Sequence, residues 1–127
     1  MSDASPRLLI VEDDVLVVLD FKARLEGMGY TVVAQATSAP EALDAMAESS
    51  PDLVLMDIGL GQGIDGIEAA AAIHRRFNVP IVFVTAHSDE ATLRQAAQAC
   101  PSVYVLKPVR DWELRSAIQV ALARNRG

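Results

Sequence analysis

Five short apolar runs divide this chain, and their spacing limits most strongly how it can fold. They are RLLIV (7–11), TVVAQA (31–36), LVLM (53–56), IVFV (81–84) and VYVL (103–106). Four of the runs are continuous rather than alternating, which is typical of strands buried on both faces of a sheet. Segments of helical length lie at about 14–28, 38–49, 65–77, 88–100 and 110–125. The alternation predicts one parallel sheet with helices on both faces.

The ends of the first two helices are marked by residues with known terminal preferences. Asp13 or Asp14 can cap the first helix, and Gly29 can take the left-handed conformation that ends it. Ser38 is the predicted cap of the second helix, with Pro40 in its first turn. These signals support the proposed division into strands and helices.

Length and charge restrict the class of protein. The 127 residues suit a single domain over 1–127, with about the first six residues flexible and no output domain. A net charge of −6 argues against direct binding of nucleic acid, which needs clustered Lys and Arg. The apolar stretch Val15–Leu19 is far too short to cross a bilayer, and the first residues lack a signal-peptide core. The lone Cys100 fits a reducing compartment, so we expect a cytoplasmic protein without membrane insertion.

Polar residues follow four of the five apolar runs. In a doubly wound sheet, ligands bind beyond the carboxyl ends of the strands, so these residues are site candidates. Each one alone could be a helix cap or a solvated side chain, but independent caps need not fall on strand ends that meet in space. Clustered carboxylates without nearby Cys or His favour Mg²⁺, and an added lysine and hydroxyl favour a phosphate ligand. The candidates are Glu12, Asp13 and Asp14 after the first run, Asp57 after the third, Thr85 after the fourth and Lys107 after the fifth.

The motifs VEDD, LVLMD, DGIE, VTA and VYVLKP, in this order and spacing, resemble the receiver domain of bacterial response regulators in two-component signalling. The resemblance covers the whole chain. It implies a flavodoxin-like, doubly wound α/β fold with five parallel strands in the order 2-1-3-4-5 and five helices. It also implies a phosphoprotein that reacts with a histidine kinase, without being a turnover enzyme. Such a domain catalyses its own phosphorylation and its slow autodephosphorylation.

The same resemblance assigns the reacting residue and its metal. Asp57 is expected to be the phosphoacceptor. Glu12 and Asp13 are expected to hold Mg²⁺, for which Mn²⁺ can substitute, together with Asp57 and the backbone carbonyl of Gly59. Asp14 then opens the first helix.

The resemblance further implies a switch. Thr85 and Lys107 are expected to contact the phosphoryl oxygens, as is the backbone of Ala86. Tyr104 is expected to move between outward and inward positions, which alters the face formed by the fourth helix, the fifth strand and the fifth helix. The Lys107–Pro108 bond is expected to be cis and to aim the lysine into the site.

The loop after Asp57 departs from the common family pattern. It contains no proline and runs nine residues to Gly66, where eight are usual. Gly59 has no side chain at a position that is often polar, and His87 stands two residues after Thr85. Both positions border the path of a hydrolytic water in the family, so we expect Gly59 and His87 to influence the lifetime of the phosphoryl group.

Partners and competing functions follow from the same residues. The expected partners are a sensor histidine kinase or histidine phosphotransfer protein and a downstream protein target. An alternative is a Mg²⁺-dependent aspartyl-phosphate phosphohydrolase, although such enzymes usually place an acid where this chain has Gly59. A flavodoxin-like binding module would need a phosphate loop where this chain has the acidic EDDV.

The segment VLVVLDF (15–21) is apolar around most of a helix circumference. The favoured explanation is crowding under the sheet and the neighbouring helices. The alternative is an exposed patch that pairs with a partner or with a second copy, which leaves a homodimer open.

Overall fold

Five parallel strands form one sheet in the order β2-β1-β3-β4-β5. The structure is a computed structural model that describes residues 5–58, 66–86, 94, 98 and 102–126. The observed order confirms the predicted 2-1-3-4-5 arrangement. The strands are β1 (Arg7–Val11), β2 (Thr31–Ala36), β3 (Leu53–Asp57), β4 (Ile81–Thr85) and β5 (Ser102–Leu106).

Four helices are assigned within the described ranges. They are α1 (Val15–Gly27), α2 (Ala39–Ser49), α3 (Gly66–Phe77) and the C-terminal helix α4 (Asp111–Arg126). The helix predicted over 88–100 lies outside the described residues except for Arg94 and Gln98, which both have helical backbone. Among the described helices, none is long and apolar enough to cross a membrane.

The predicted helix ends are confirmed, and one of them matters for the site. Asp14 is the N-cap of α1, where its Oδ1 accepts a hydrogen bond of 2.9 Å from the Leu16 amide. Ser38 caps α2, and Gly29 has a φ of 97° after α1. Because Asp14 caps the helix, Glu12 and Asp13 are the acids of this run that remain for the site.

Both faces of the sheet are covered, which explains the continuous apolar runs. Leu8 and Ile10 of β1 pack in a core with Leu25 of α1 and Leu114 of α4. The alternate β1 residues Leu9 and Val11 pack on the opposite side against residues of α2 and α3. Neighbouring strand residues point to opposite faces, so the interior positions of a central strand are apolar, and the polar residues Asp57 and Thr85 stand only at strand ends.

The outer side of α1 differs from the favoured expectation. Val15, Leu16 and Leu19 are exposed, whereas Val18 and Phe21 are buried. The explanation by crowding is therefore wrong for the three exposed residues. The helix buries one stripe against the sheet and presents a second apolar stripe to solvent.

Gly66 lets the start of α3 approach the end of β3 very closely. A Cβ atom at this position would lie 2.7 Å from the carbonyl oxygen of Asp57 and 3.2 Å from Cγ of Met56. The nearer neighbour is backbone rather than a flexible side chain, so a larger residue requires the strand end to move. Gly66 thus fixes the distance between α3 and the residue that ends β3.

We expect Gly66→Ala to lower the free energy of unfolding by about 1–3 kcal/mol, because the backbone at Asp57 must shift to admit the methyl group. Urea denaturation measures this change. Gly27→Ala is the matched control, because a Cβ there meets nothing within 4 Å. Because Gly27 is helical, alanine there is expected to leave the free energy of unfolding unchanged or to raise it by up to about 1 kcal/mol. An equal change in the free energy of unfolding for the two variants would contradict the close approach of α3 to the backbone of Asp57.

Candidate functional site

The polar residues predicted at the strand ends meet at one edge of the sheet. Asp57 and Thr85 are the last residues of β3 and β4, while Glu12 and Lys107 directly follow β1 and β5. The strand register aligns Val11 with Met56, Asp57 with Val84 and Thr85 with Leu106. Parallel strands in this register bring four carboxyl ends together, as the sequence predicts.

Three carboxylates form the acidic part of the site. One oxygen each from Glu12, Asp13 and Asp57 lies within 4.8 Å of the other two. Glu12 and Asp57 are buried, and Asp13 is exposed. Two acids are therefore removed from water, while the third faces solvent, from which an ion can enter.

Glu12 is held in an environment that disfavours its charge. Its Oε1 accepts a hydrogen bond of 3.1 Å from the Asp14 amide, while the buried Oε2 accepts none from the described residues. Burial raises the pKa of Glu12 to about 8, and the neighbouring carboxyl group of Asp57 adds to the rise. Without a cation, Glu12 is therefore mostly protonated at neutral pH.

Lys107 supplies the positive charge on the opposite side of Asp57. Its Nζ lies 3.5 Å from Asp57 Oδ1, and its side chain remains 42% exposed. The Lys107 amide donates a hydrogen bond of 2.7 Å to the carbonyl oxygen of Thr85. The Lys107–Pro108 bond is cis, as predicted. The lysine thus reaches from β5 past β4 to the end of β3.

Thr85 and Tyr104 lie on neighbouring strands beside the acids. Thr85 is fully buried, and its Oγ1 donates a hydrogen bond of 3.3 Å to the carbonyl oxygen of Ala86. Tyr104 pairs with Phe83 in the sheet register and is 54% exposed. The hydroxyl of Thr85 is at the site, and the phenol ring of Tyr104 lies on the surface nearby.

The model of the response regulator receiver domain family matches residues 8–119 of this chain. The chain belongs to this family. The phyllosphere-induced regulator PhyR of Methylorubrum extorquens is 31% identical over 122 residues, which cover 95% of this receiver domain and 45% of PhyR. The transcriptional regulatory protein PdtaR of Mycobacterium tuberculosis is 36% identical over 120 residues, which cover 94% of the chain and 58% of PdtaR.

A solved receiver domain has the same fold. The signal receiver domain of a modulated diguanylate cyclase from Desulfovibrio desulfuricans G20 matches with a TM-score of 0.88 and 33% sequence identity. The match covers 96% of this chain and 97% of that one. The chain spans about half the length of the curated relatives it matches, so the match with them is at the level of the receiver domain.

The acidic cluster of this receiver domain fits a divalent cation with oxygen ligands. Glu12, Asp13 and Asp57 offer three carboxylate oxygens in one place, and Glu12 Oε2 accepts no hydrogen bond from the described residues. A cation would oppose the repulsion among these acids and the burial of Glu12. All-oxygen ligation of this kind favours Mg²⁺ over metals that prefer nitrogen or sulfur.

Two predicted site residues lie outside the described part of the chain, and two residues that support the site were not predicted from the sequence. Gly59 and His87 lie outside the described residues, so their predicted effect on the phosphoryl group stays a prediction. Gly66 was expected only as the end of the loop, not as a contact of Asp57. Arg24, which joins α1 to the segment after Lys107, was not predicted because no local motif marks it.

The raised pKa of Glu12 predicts how pH affects stability without Mg²⁺. The native pKa is about 8 and the ordinary value is 4.5, so the folded state binds more protons between these pH values. Stability is therefore lost as pH rises through this window, by about 3 kcal/mol between pH 5.5 and 8. Urea denaturation of wild type and Glu12→Gln checks this, because the variant lacks the titrating group.

Saturating Mg²⁺ is expected to stabilise the wild type more at pH 8 than at pH 5.5, because the ion binds ionised carboxylates. Equal pH slopes for wild type and Glu12→Gln in the absence of Mg²⁺ would contradict the assignment of the proton to Glu12.

Proposed function

We propose that this receiver domain is a phosphoacceptor switch in which Asp57 takes a phosphoryl group from the phosphohistidine of a sensor kinase or phosphotransfer protein. One observation carries the proposal. The Asp57 carboxylate is held at the end of a buried strand, between an acidic pair and a lysine whose Nζ is 3.5 Å away. A nucleophilic carboxylate between a cation site and an ammonium group is suited to phosphoryl transfer.

In the proposed reaction, a carboxylate oxygen of Asp57 attacks phosphorus in line with the histidine nitrogen. The new oxygen–phosphorus bond forms as the phosphorus–nitrogen bond breaks, and the imidazole leaves with the electron pair and takes up a proton. Lys107 stabilises the negative charge on the equatorial oxygens. Mg²⁺ held by Glu12, Asp13, Asp57 and the carbonyl of Gly59 would supply further positive charge there.

The proposed output is a rearrangement of Thr85 and Tyr104. A phosphoryl group on Asp57 offers strong acceptor oxygens, which compete with the Ala86 carbonyl for the Thr85 hydroxyl. Movement of Thr85 toward the phosphoryl group opens space into which the exposed Tyr104 can turn. The backbone of Ala86 is the further proposed contact of the phosphoryl oxygens. The altered surface beside β5 then controls contact with a downstream protein or onward relay.

The similarity to regulators supports a signalling output rather than catalytic turnover. The cytoplasmic location stays a proposal that rests on the lone Cys100. PhyR is named as a regulator and PdtaR as a transcriptional regulatory protein. Because the matches extend over about half of those proteins, the target of this chain is proposed only as a protein contact or a histidine phosphotransfer partner.

We expect acetyl phosphate with Mg²⁺ to label wild type and to leave Asp57→Asn unlabelled, because the amide is not a nucleophile for phosphorus. Asp44→Asn is the matched control, since Asp44 is an exposed acid on α2 outside the cluster. Intact-mass spectrometry counts the phosphoryl groups. Removing Mg²⁺ with EDTA is expected to slow labelling by at least about tenfold.

The expected stoichiometry is close to one phosphoryl group per chain. Labelling of Asp57→Asn at the wild-type level would show that Asp57 is not the acceptor. Rapid release of many phosphates per chain would instead support the phosphohydrolase alternative.

A further inference from the structure

Arg24 of α1 makes three contacts through three different guanidinium nitrogens. Its Nε donates a hydrogen bond of 2.7 Å to Asp111 Oδ1, and its Nη2 donates one of 2.5 Å to the carbonyl oxygen of Val109. Its Nη1 lies 3.4 Å from Asp20 Oδ2 on the same helix. The side chain is only 20% exposed, and the guanidinium also lies over the ring of Phe21. Arg24 therefore ties α1 to two points of a segment more than eighty positions away.

The segment held by Arg24 begins at Lys107. It leads from the end of β5 through Pro108 and Val109 to the start of α4 at Asp111. On the strand side, Lys107 is fixed by the hydrogen bond that its backbone amide donates to the Thr85 carbonyl oxygen. Arg24 fixes the segment two and four residues later, at Val109 and Asp111. The backbone that carries the lysine is thus anchored on both sides.

Among the described residues, the Lys107 ammonium group has one polar contact, with Asp57. The side chain is 42% exposed, and its contact with Asp57 is long at 3.5 Å. Arg24 and Lys107 line the same groove of about 400 Å³ between α1 and this segment, with Leu16, Phe21 and Pro108 among the other lining residues. Any displacement of the segment from α1 moves the base of the lysine side chain with it.

An arginine is suited to this position for a geometric reason. Its planar group donates in several fixed directions, whereas a lysine offers one point charge on a flexible stem. The ion pair with Asp111 adds little stability by itself, because the Asp111 side chain is 70% exposed. The bond to the Val109 carbonyl instead fixes the path of the backbone.

We propose that Arg24 is a positioning residue for phosphoryl transfer, which holds the Lys107–Asp111 segment against α1 and thereby keeps Lys107 at Asp57. This inference rests on the proposed function of Asp57 as phosphoacceptor. It adds a residue on a distant helix whose effect on the reaction passes through Lys107.

The test is a double-mutant cycle with acetyl phosphate as the donor and saturating Mg²⁺. Arg24→Gln is expected to lower the rate constant of phosphorylation by about tenfold while leaving the Mg²⁺ dissociation constant within about twofold of wild type. In the Lys107→Ala background, Arg24→Gln is expected to change the rate by less than about twofold, because the group it positions is gone.

Asp20→Ala is the matched control, because it removes an Arg24 partner on the same helix and leaves both contacts to the segment. We expect its rate to stay within about twofold of wild type. Asp111→Ala removes the acceptor of the Arg24 Nε hydrogen bond and is expected to slow phosphorylation by about threefold. It also tests the proposal if Arg24→Gln fails to fold.

The outcomes separate this inference from the proposed function. If wild type is not labelled at Asp57, the proposed function fails and this inference fails with it. If wild type is labelled and Arg24→Gln reacts at the wild-type rate, the positioning role alone is overturned. An equal slowing by Arg24→Gln with and without Lys107, or a weakened Mg²⁺ affinity, would show general structural damage and would also overturn it.

Discussion

Repulsion among three carboxylates at a largely buried sheet edge is the constraint on which the rest of this site depends. Glu12, Asp13 and Asp57 bring oxygens within 4.8 Å of one another, and two of these residues are buried. Burial raises the pKa of Glu12 to about 8, and the neighbouring carboxyl group of Asp57 adds to the rise. The arrangement becomes favourable for ionised acids only when positive charge faces it. Lys107 supplies one such charge, and a divalent cation would supply more.

The fold holds these charges in place through elements buried on both sides. The strand that ends in Asp57 is buried at every position, so the carboxylate projects from a rigid support. Gly66 lets α3 pack directly on the backbone of Asp57, and Arg24 ties the segment carrying Lys107 to α1. The acid and the lysine are thus positioned from different helices. In the proposed switch, Thr85 and Tyr104 on the neighbouring strands respond to the charge that arrives on Asp57.

Local patterns in the sequence predict the fold and the composition of the site. Continuous apolar runs identify the strands, and Asp14, Ser38 and Gly29 mark helix ends through short-range preferences. The family resemblance supplies the strand order, which brings the strand ends to one edge. Contacts made only by tertiary approach are not predictable in this way. Arg24 and Asp111 are separated by 87 positions, and only the packing of α1 against the β5–α4 segment joins them. The exposure of Leu16 and Leu19 is set likewise by how α1 lies on the sheet, because a segment that is apolar around most of the helix circumference does not show which of its residues are buried.

A crystal structure of the chain with Mg²⁺ and beryllium fluoride, a mimic of the phosphoryl group, shows directly whether Asp57 is the phosphoacceptor. The fluoride adduct is expected on the Asp57 carboxylate, with Mg²⁺ among Glu12, Asp13 and Asp57 and with Lys107 Nζ in contact with the adduct. An adduct on another carboxylate, or a metal bound away from these three acids, would contradict this arrangement.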